Sequence, residues 1–296
     1  MNNFLKNEDN KTDLNSFIAT EAQNKRWGNK CVFITHGNTV INCLTGNACL
    51  LYNDDGLTLE EADNRILCHI SHMVENGLLN IKVRSVDTDV IIILLIAYMK
   101  QFILINDDVK IWCDFGTGNN RKTVNIHLLY EALGEEICLA LPFFHAFTGC
   151  DSTTSFYNLP KKKWFELWMS CPMRDDITTV FQQLSWQPKR FSIDFGNSVL
   201  NRFVSYAYMK SEMELKLARL SIYTSSFKDS FRILPPSTDA LELHILRSCY
   251  QAGWIWGNTL SQTQSSPPME WGWHVHRSKI DLLLLGLKLA NWEQKN

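Results

Sequence analysis

Short apolar runs alternate with amphipathic stretches in the first part of the chain. Residues 31–35, 48–52 and 81–85 have the length and the bounding turn residues of β-strands. A capping box, Thr58-Leu-Glu-Glu61, starts a helical apolar pattern that continues to Gly77, between the second and third of these strands. Strand, helix and strand within about 35 residues predict a βαβ unit. The fold class is therefore predicted as α/β with a parallel sheet.

The pattern becomes more helical after residue 85. The apolar run 90–99 is ambiguous. Its isoleucines favour a strand, whereas its position after Asp87-Thr-Asp89 favours a buried helix. Further elements are a hairpin of 109–114 with 121–126, and helices near 127–133, 135–147 with a kink at Pro142, 197–220 and 239–252. We predict three parts: a polar N-terminal arm (1–27), an α/β domain (28–158) and a helical, aromatic-rich C-terminal region (159–296).

Composition narrows the class of protein. The 296 residues are 45% hydrophobic and 20% charged with a formal net charge of −2, which is typical of a soluble globular protein and restricts any nucleic-acid site to a local patch. The nine cysteines contain no C-x-x-C pair, which argues against a disulfide framework or a zinc knuckle. The run 90–99 covers about half of the roughly 20 residues that a membrane span needs, and the N-terminus lacks a secretory signal. We expect an intracellular location without a membrane partner.

Four carboxylates follow the predicted strands. Glu61 and Asp63 lie at the start of the capped helix, and Asp87 and Asp89 follow the strand 81–85. The carboxyl ends of parallel strands meet at one edge of a sheet, so these side chains should converge there. Oxygen ligands without Cys or His favour Mg²⁺ or Mn²⁺, and sites of this kind usually catalyse phosphoryl transfer or hydrolysis. The alternative is that Glu61 only completes its capping box and that Asp87 or Asp89 only caps the next helix.

Three motifs resemble those of a nuclease superfamily. Glu61-Ala-Asp63, Ser85-Val-Asp87-Thr-Asp89 and Phe147-Thr-Gly-Cys-Asp151-Ser occur in the order of the acidic motifs of flap-endonuclease and XPG-type 5′ nucleases. The longer pattern is similar to PIN-like proteins that are multiplied in invertebrate genomes. The resemblance implies a PIN-like, Rossmann-like domain that cleaves phosphodiester bonds in DNA or RNA. It also implies Mg²⁺ or Mn²⁺ held by Glu61, Asp63, Asp87, Asp89 and Asp151.

Two departures from that family weaken the expectation of catalysis. The family's first metal-binding Asp ends an N-terminal strand, whereas here the strand 31–35 runs into His36-Gly37, as in an N-terminally shortened copy. The Gly-x-Gly turn that grips duplex DNA is also absent after Asp151. The alternative function is a non-catalytic PIN-like module that binds nucleic acid or serves as a scaffold. Asp151 could also be the N-cap of a following helix, and His145 is expected to be a core residue rather than a base.

A run of three lysines is the candidate nucleic-acid site. Lys161, Lys162 and Lys163 could pair with phosphates while the neighbouring Trp164 stacks on a base. The alternative is a solvated face next to an apolar helix.

Overall fold

The chain folds into helices and short strands that belong to two units, Met1–Ala62 and Asp63–Asn296. The computed structural model describes residues 4, 7–36, 39–43, 45–50, 62–186, 190–225, 233–257, 266–276 and 279–284. The predicted capping box at 58–61, which includes Glu61, lies outside these described residues.

The first unit contains one helix and an antiparallel sheet. Helix α1 (Glu8–Asn24) begins where the Asn7 side chain accepts a hydrogen bond from the Asp9 amide. Strands β1 (Phe33–His36), β2 (Thr39–Asn42) and β3 (Ala48–Leu50) pair in that order. The sequence predicted that β3 opens a βαβ unit with the strand 81–85. That prediction is wrong, because β3 pairs antiparallel with β2, and alternation along a strand does not select its partner.

The second unit contains a mixed three-stranded sheet. After helix α2 (Ala62–Glu75), strand β4 (Asn80–Ser85) pairs parallel with β5 (Lys110–Phe115), and β5 pairs antiparallel with β6 (Lys122–Asn125). The predicted hairpin is confirmed. The crossover from β4 to β5 contains α3 (Thr88–Ala97), a π-helical turn (Tyr98–Phe102) and α4 (Ile103–Ile105). The chain is therefore α/β, with a sheet that is only partly parallel.

Helix α3 settles the ambiguous apolar run in favour of a helix. The Asp87 side chain accepts a hydrogen bond from the Asp89 amide and caps the first turn, and most of the following residues are buried. By length and composition alone, Thr88–Ile105 could also cross a membrane, which the count of ten apolar residues did not anticipate. Within this unit, 56% of that stretch is buried, as in the core helix of a soluble protein.

Helix α5 (Ile126–Phe147) contains a break and a proline. The backbone leaves the helical region at Gly134 (φ 76°, ψ 161°), which confirms the two predicted stretches on either side. The predicted kink at Pro142 is not where the helix breaks. Near the proline, the Phe143 amide donates to Ser185 Oγ (3.0 Å) and the Leu139 carbonyl accepts from Trp186 Nε1 (3.0 Å). Side chains at the end of another helix thus bond to the backbone of α5 on both sides of the proline.

The region after residue 160 is mostly helical, as predicted. It contains α6 (Lys161–Ser170), α7 (Arg174–Ser185), α8 (Arg190–Met209), α9 (Leu215–Ser225) and α10 (Thr238–Cys249). Two helices, α8 and α9, replace the single helix predicted at 197–220. A π-helical turn (Tyr250–Trp256) follows α10, and a hairpin of β7 (Trp273–His276) and β8 (Lys279–Leu284), which the sequence did not predict, comes last. One hydrophobic core joins these helices to α5 through large buried rings: Phe143, Phe147, Trp164, Trp168, Phe181 and Phe203.

Candidate functional site

Three aspartates from two other segments act electrostatically on Asp63. Asp63 lies in the first turn of α2, Asp87 and Asp89 lie at the start of α3, and Asp151 follows α5. Partial burial raises the pKa of Asp63, and the negative charges of Asp87, Asp89 and Asp151 raise it further. The structure therefore places Asp87, Asp89 and Asp151 near enough to Asp63 for their charges to act on it. The fifth predicted ligand, Glu61, lies outside the described residues.

Asp87 has a structural role in addition to its place in this group. Its own amide donates to Ser85 Oγ (3.0 Å), and its Oδ1 accepts from the Asp89 amide (2.9 Å). This is the N-cap arrangement that the sequence left open as an alternative. The cap uses one carboxylate oxygen and a negative charge that the N-terminus of α3 favours.

Asp89 is buried and bonded to a histidine. His145 Nε2 lies 2.8 Å from Asp89 Oδ1, which joins α5 to the start of α3. Burial lowers the pKa of His145 more than the bond to Asp89 raises it, so the imidazole is mainly neutral near pH 7 and donates its Nε2–H. His145 is thus a hydrogen-bonded core residue, as expected from the sequence.

Asp151 is exposed in a tight turn directly after α5. The amide of Cys150 donates to the Thr153 carbonyl (3.1 Å), and the amide of Thr153 donates to the Cys150 carbonyl (3.2 Å). Gly149 precedes the turn at φ 109°, where a Cβ atom would stand 2.9 Å from Ser155, so the backbone path requires glycine. The next helix begins at Lys161, and Asp151 is therefore not the N-cap that the sequence left as an alternative.

The three predicted nucleic-acid lysines differ in their surroundings. The Lys161 ammonium donates to the carbonyl oxygens of His145 (2.6 Å) and Gly149 at the C-terminal end of α5, where a cation is favourable. Burial lowers the pKa of Lys161 to about 8. Lys162 is exposed, and Lys163 lies 3.4 Å from Glu166. The predicted phosphate contact therefore rests on Lys162 and Lys163.

The predicted base stacking on Trp164 is wrong. Its side chain is fully buried against Phe156 (ring centroids 4.7 Å apart) and Phe203 (5.1 Å). Its large apolar ring fills the core beneath α6 and is not available to a base.

The donors fit a hard divalent cation in type and charge. Oxygen ligands that repel one another are stabilised by Mg²⁺ or Mn²⁺. The arrangement is incomplete, however: within the part of the chain that the structure describes, no three His, Cys, Asp or Glu side chains are already placed around a common metal position.

Comparisons with protein-family models, with curated proteins and with solved structures find no match to this chain. The resemblance to PIN-like nucleases therefore stays a prediction from the motifs.

Sequence reasoning missed two supporting residues of the site. It did not pair His145 with Asp89, and it did not place the Lys161 ammonium at the end of α5. Both contacts depend on how helices pack, which hydrophobic periodicity does not encode. The signal that was available is chemical: an aspartate that is buried at a helix start requires a hydrogen-bond donor.

Proposed function

We propose that the chain is a PIN-like protein whose aspartates bind one or more Mg²⁺ or Mn²⁺ ions, with phosphodiester cleavage in nucleic acid as the corresponding activity. One observation carries the proposal: partial burial raises the pKa of Asp63, and the charges of Asp87, Asp89 and Asp151, which come from two other segments, raise it further. Such mutual repulsion costs free energy in the folded chain unless a cation offsets it. The order of the motifs supports the same conclusion.

In this proposal, Asp63, Asp87, Asp89 and Asp151 hold the ion, and His145 fixes one oxygen of Asp89 so that the other can face the metal. A bound Mg²⁺ supplies a more acidic water and neutralises charge on a phosphate. Lys161 adds a positive charge near Asp89, which limits the total negative charge of the group. The chain's own residues thus position the carboxylates.

Cation binding is tested by thermal and urea unfolding with Mn²⁺ or Mg²⁺. At about 100 times Kd, we expect the ion to raise the free energy of unfolding by about 2.7 kcal/mol. Asp63→Asn should lose most of this gain. Without metal the same variant should be more stable than the native chain at neutral pH, because the folded state disfavours a charged Asp63.

A matched control is Asp239→Asn, since Asp239 is an exposed aspartate in the first turn of α10. It should keep the full metal response. An equal response in both variants would exclude the aspartate group as the cation site.

A second candidate function is a non-catalytic PIN-like module. The observation that favours it is that Asp87 caps α3 and Asp89 bonds to His145, so each has one oxygen already committed. In addition, the sequence has no match to the Asp that ends the first strand in 5′ nucleases. In-line phosphoryl displacement requires ligands at fixed positions, and a misplacement of about 1 Å can cost on the order of 10²-fold in rate.

We therefore expect the 296-residue chain to cleave nucleic acid feebly or not at all. The assay incubates purified chain with labelled single-stranded, duplex and flapped DNA and RNA in Mg²⁺ and in Mn²⁺, beside an Asp63→Asn control. Robust cleavage that disappears in the control would establish the enzyme and reject the non-catalytic module.

A further inference from the structure

The sheet β4–β5–β6 has one apolar face and one polar face. Side chains alternate along β4, where Ile81 and Val83 are buried while Lys82 and Arg84 are exposed. The register of the parallel pair sets Lys82 beside Trp112 and Arg84 beside Asp114 on β5. Strands of a doubly wound α/β sheet are usually covered on both faces. Here one face of β4 carries charged side chains to solvent instead.

Three cationic side chains lie around Asp114 on this face, two of them bonded to its carboxylate and one to its backbone carbonyl. Lys82 lies 3.3 Å from Asp114 Oδ2, and Arg121 also bonds to that oxygen, yet their side chains stay 63% and 53% exposed. Hydrogen bonds from Thr123 and Arg121 hold the pKa of Asp114 well below its usual range. Arg84 donates to the Asp114 and Gly116 carbonyls (3.3 and 2.8 Å), which fixes its guanidinium beside the hairpin.

These contacts leave an excess of positive charge. Asp114 is buried and neutralises one of the three cations, whereas Asp107 and Asp108 precede β5 at the opposite end of the strand. The guanidinium and ammonium groups are held in place before any ligand arrives, so little side-chain entropy remains to be lost on binding. A flat surface of this kind complements a row of phosphates.

An aromatic ring lies among these charges. Trp112 is half-buried beside Lys82 on one side and Asn125 on the other. Its ring meets the His127 ring edge to face, with centroids 5.1 Å apart, and His127 Nδ1 is 3.2 Å from the Ile111 carbonyl. The indole is thus fixed in orientation at the centre of the polar face. A fixed indole among cations is the combination on which unpaired bases stack.

We propose that this basic sheet face, formed by Lys82, Arg84, Arg121 and Trp112, binds single-stranded nucleic acid. The three cations contact phosphates and Trp112 stacks on a base. Duplex bases are paired and stacked inside the helix, so the indole selects single strands. An acidic peptide would pair with the cations but would offer no base to the indole.

The basic sheet face also leads toward the acidic group. Arg84 precedes Asp87 by three residues, a backbone distance of at most about 10 Å. A strand bound along β4 would therefore pass near the carboxylates. Binding itself requires no metal, so the inference does not rest on the proposed function.

The test is fluorescence anisotropy of the full chain with labelled oligo-dT and oligo-U of about 20 nucleotides, in EDTA, from about 50 to 200 mM salt. Lys82→Gln should lower the salt slope of log affinity by about 0.7, the value for one phosphate contact on a single strand. Trp112→Leu should weaken binding about 5- to 150-fold without changing that slope, and Trp112→Tyr should restore most of the affinity.

The control is Lys216→Gln, which removes an exposed lysine of α9 and should change neither quantity. Heparin, a polyanion without bases, is the competing probe. Absence of oligonucleotide binding at the lowest salt overturns the inference. Equal binding of heparin or anionic vesicles, with no effect of Trp112→Leu, also overturns it. Since EDTA removes divalent ions, failure here is distinguishable from failure of the metal site.

Discussion

Phe147→Ala should lower the free energy of unfolding by about 3–5 kcal/mol, because it removes a fully buried ring and leaves a cavity. Phe147 is the last residue of α5, and its ring lies within 5.1–5.9 Å of Phe143, Phe156, Trp164 and His244, measured between centroids. Rings from four segments therefore lose contacts together. Urea unfolding at pH 7 measures the change.

Two further variants test whether the loss of stability comes from the buried ring. Phe147→Leu keeps much of the volume and should cost less than about 1.5 kcal/mol. Tyr157→Ala removes an aromatic side chain that is 46% exposed and should stay within about 0.5 kcal/mol of the native chain. A loss below about 1 kcal/mol for Phe147→Ala would contradict the packing of α5 described above.

Acid should destabilise the chain through His244. Burial lowers the pKa of His244 to about 4, from about 6.5 in an unfolded chain. Its Nε2–H donates to the Phe147 carbonyl (2.7 Å), which the neutral ring can do. Between these two pKa values the unfolded state binds more protons, so stability falls as pH falls. From pH 7 to pH 5 the contribution of this one group is about 2 kcal/mol.

The measurement is urea unfolding at pH 7 and pH 5 for the native chain and His244→Gln. Glutamine keeps a neutral donor and does not titrate, so the loss on acidification should be about 2 kcal/mol smaller in the variant. His72→Gln, at an exposed histidine of α2, serves as the control. If His244→Gln lost as much stability on acidification as the native chain, other groups would be the cause. His145 would then be the next candidate, because burial also lowers its pKa.

Sequence reasoning located elements better than it located their partners. The β5–β6 hairpin, α2 and the two stretches of α5 around Gly134 follow directly from turn residues and helical spacing. The partner of β3 did not follow, because β2 is a four-residue strand between turn residues and has too few positions to show alternation.

The candidate site shows the same limit. Asp63, Asp87, Asp89 and Asp151 could be named from their places after strands and helices. His145 Nε2 meets Asp89 across 56 residues of chain, a contact that only helix packing creates. The basic sheet face was also missed, because Lys82 and Arg84 are ordinary solvent residues until the register of β4 and β5 shows that Trp112 and Arg121 join them.

The contacts near Pro142 in α5 limit where recombination could divide this chain. The Phe143 amide and the Leu139 carbonyl are bonded by Ser185 and Trp186, at the end of α7. A gene rearrangement that carried only the first 158 residues to a new protein would remove both of these side-chain partners and would expose the ring face of Phe143 that meets Phe181. Both sides of this point belong to the compact unit Asp63–Asn296, and we expect a recombination breakpoint near residue 158 to lower the stability of either product.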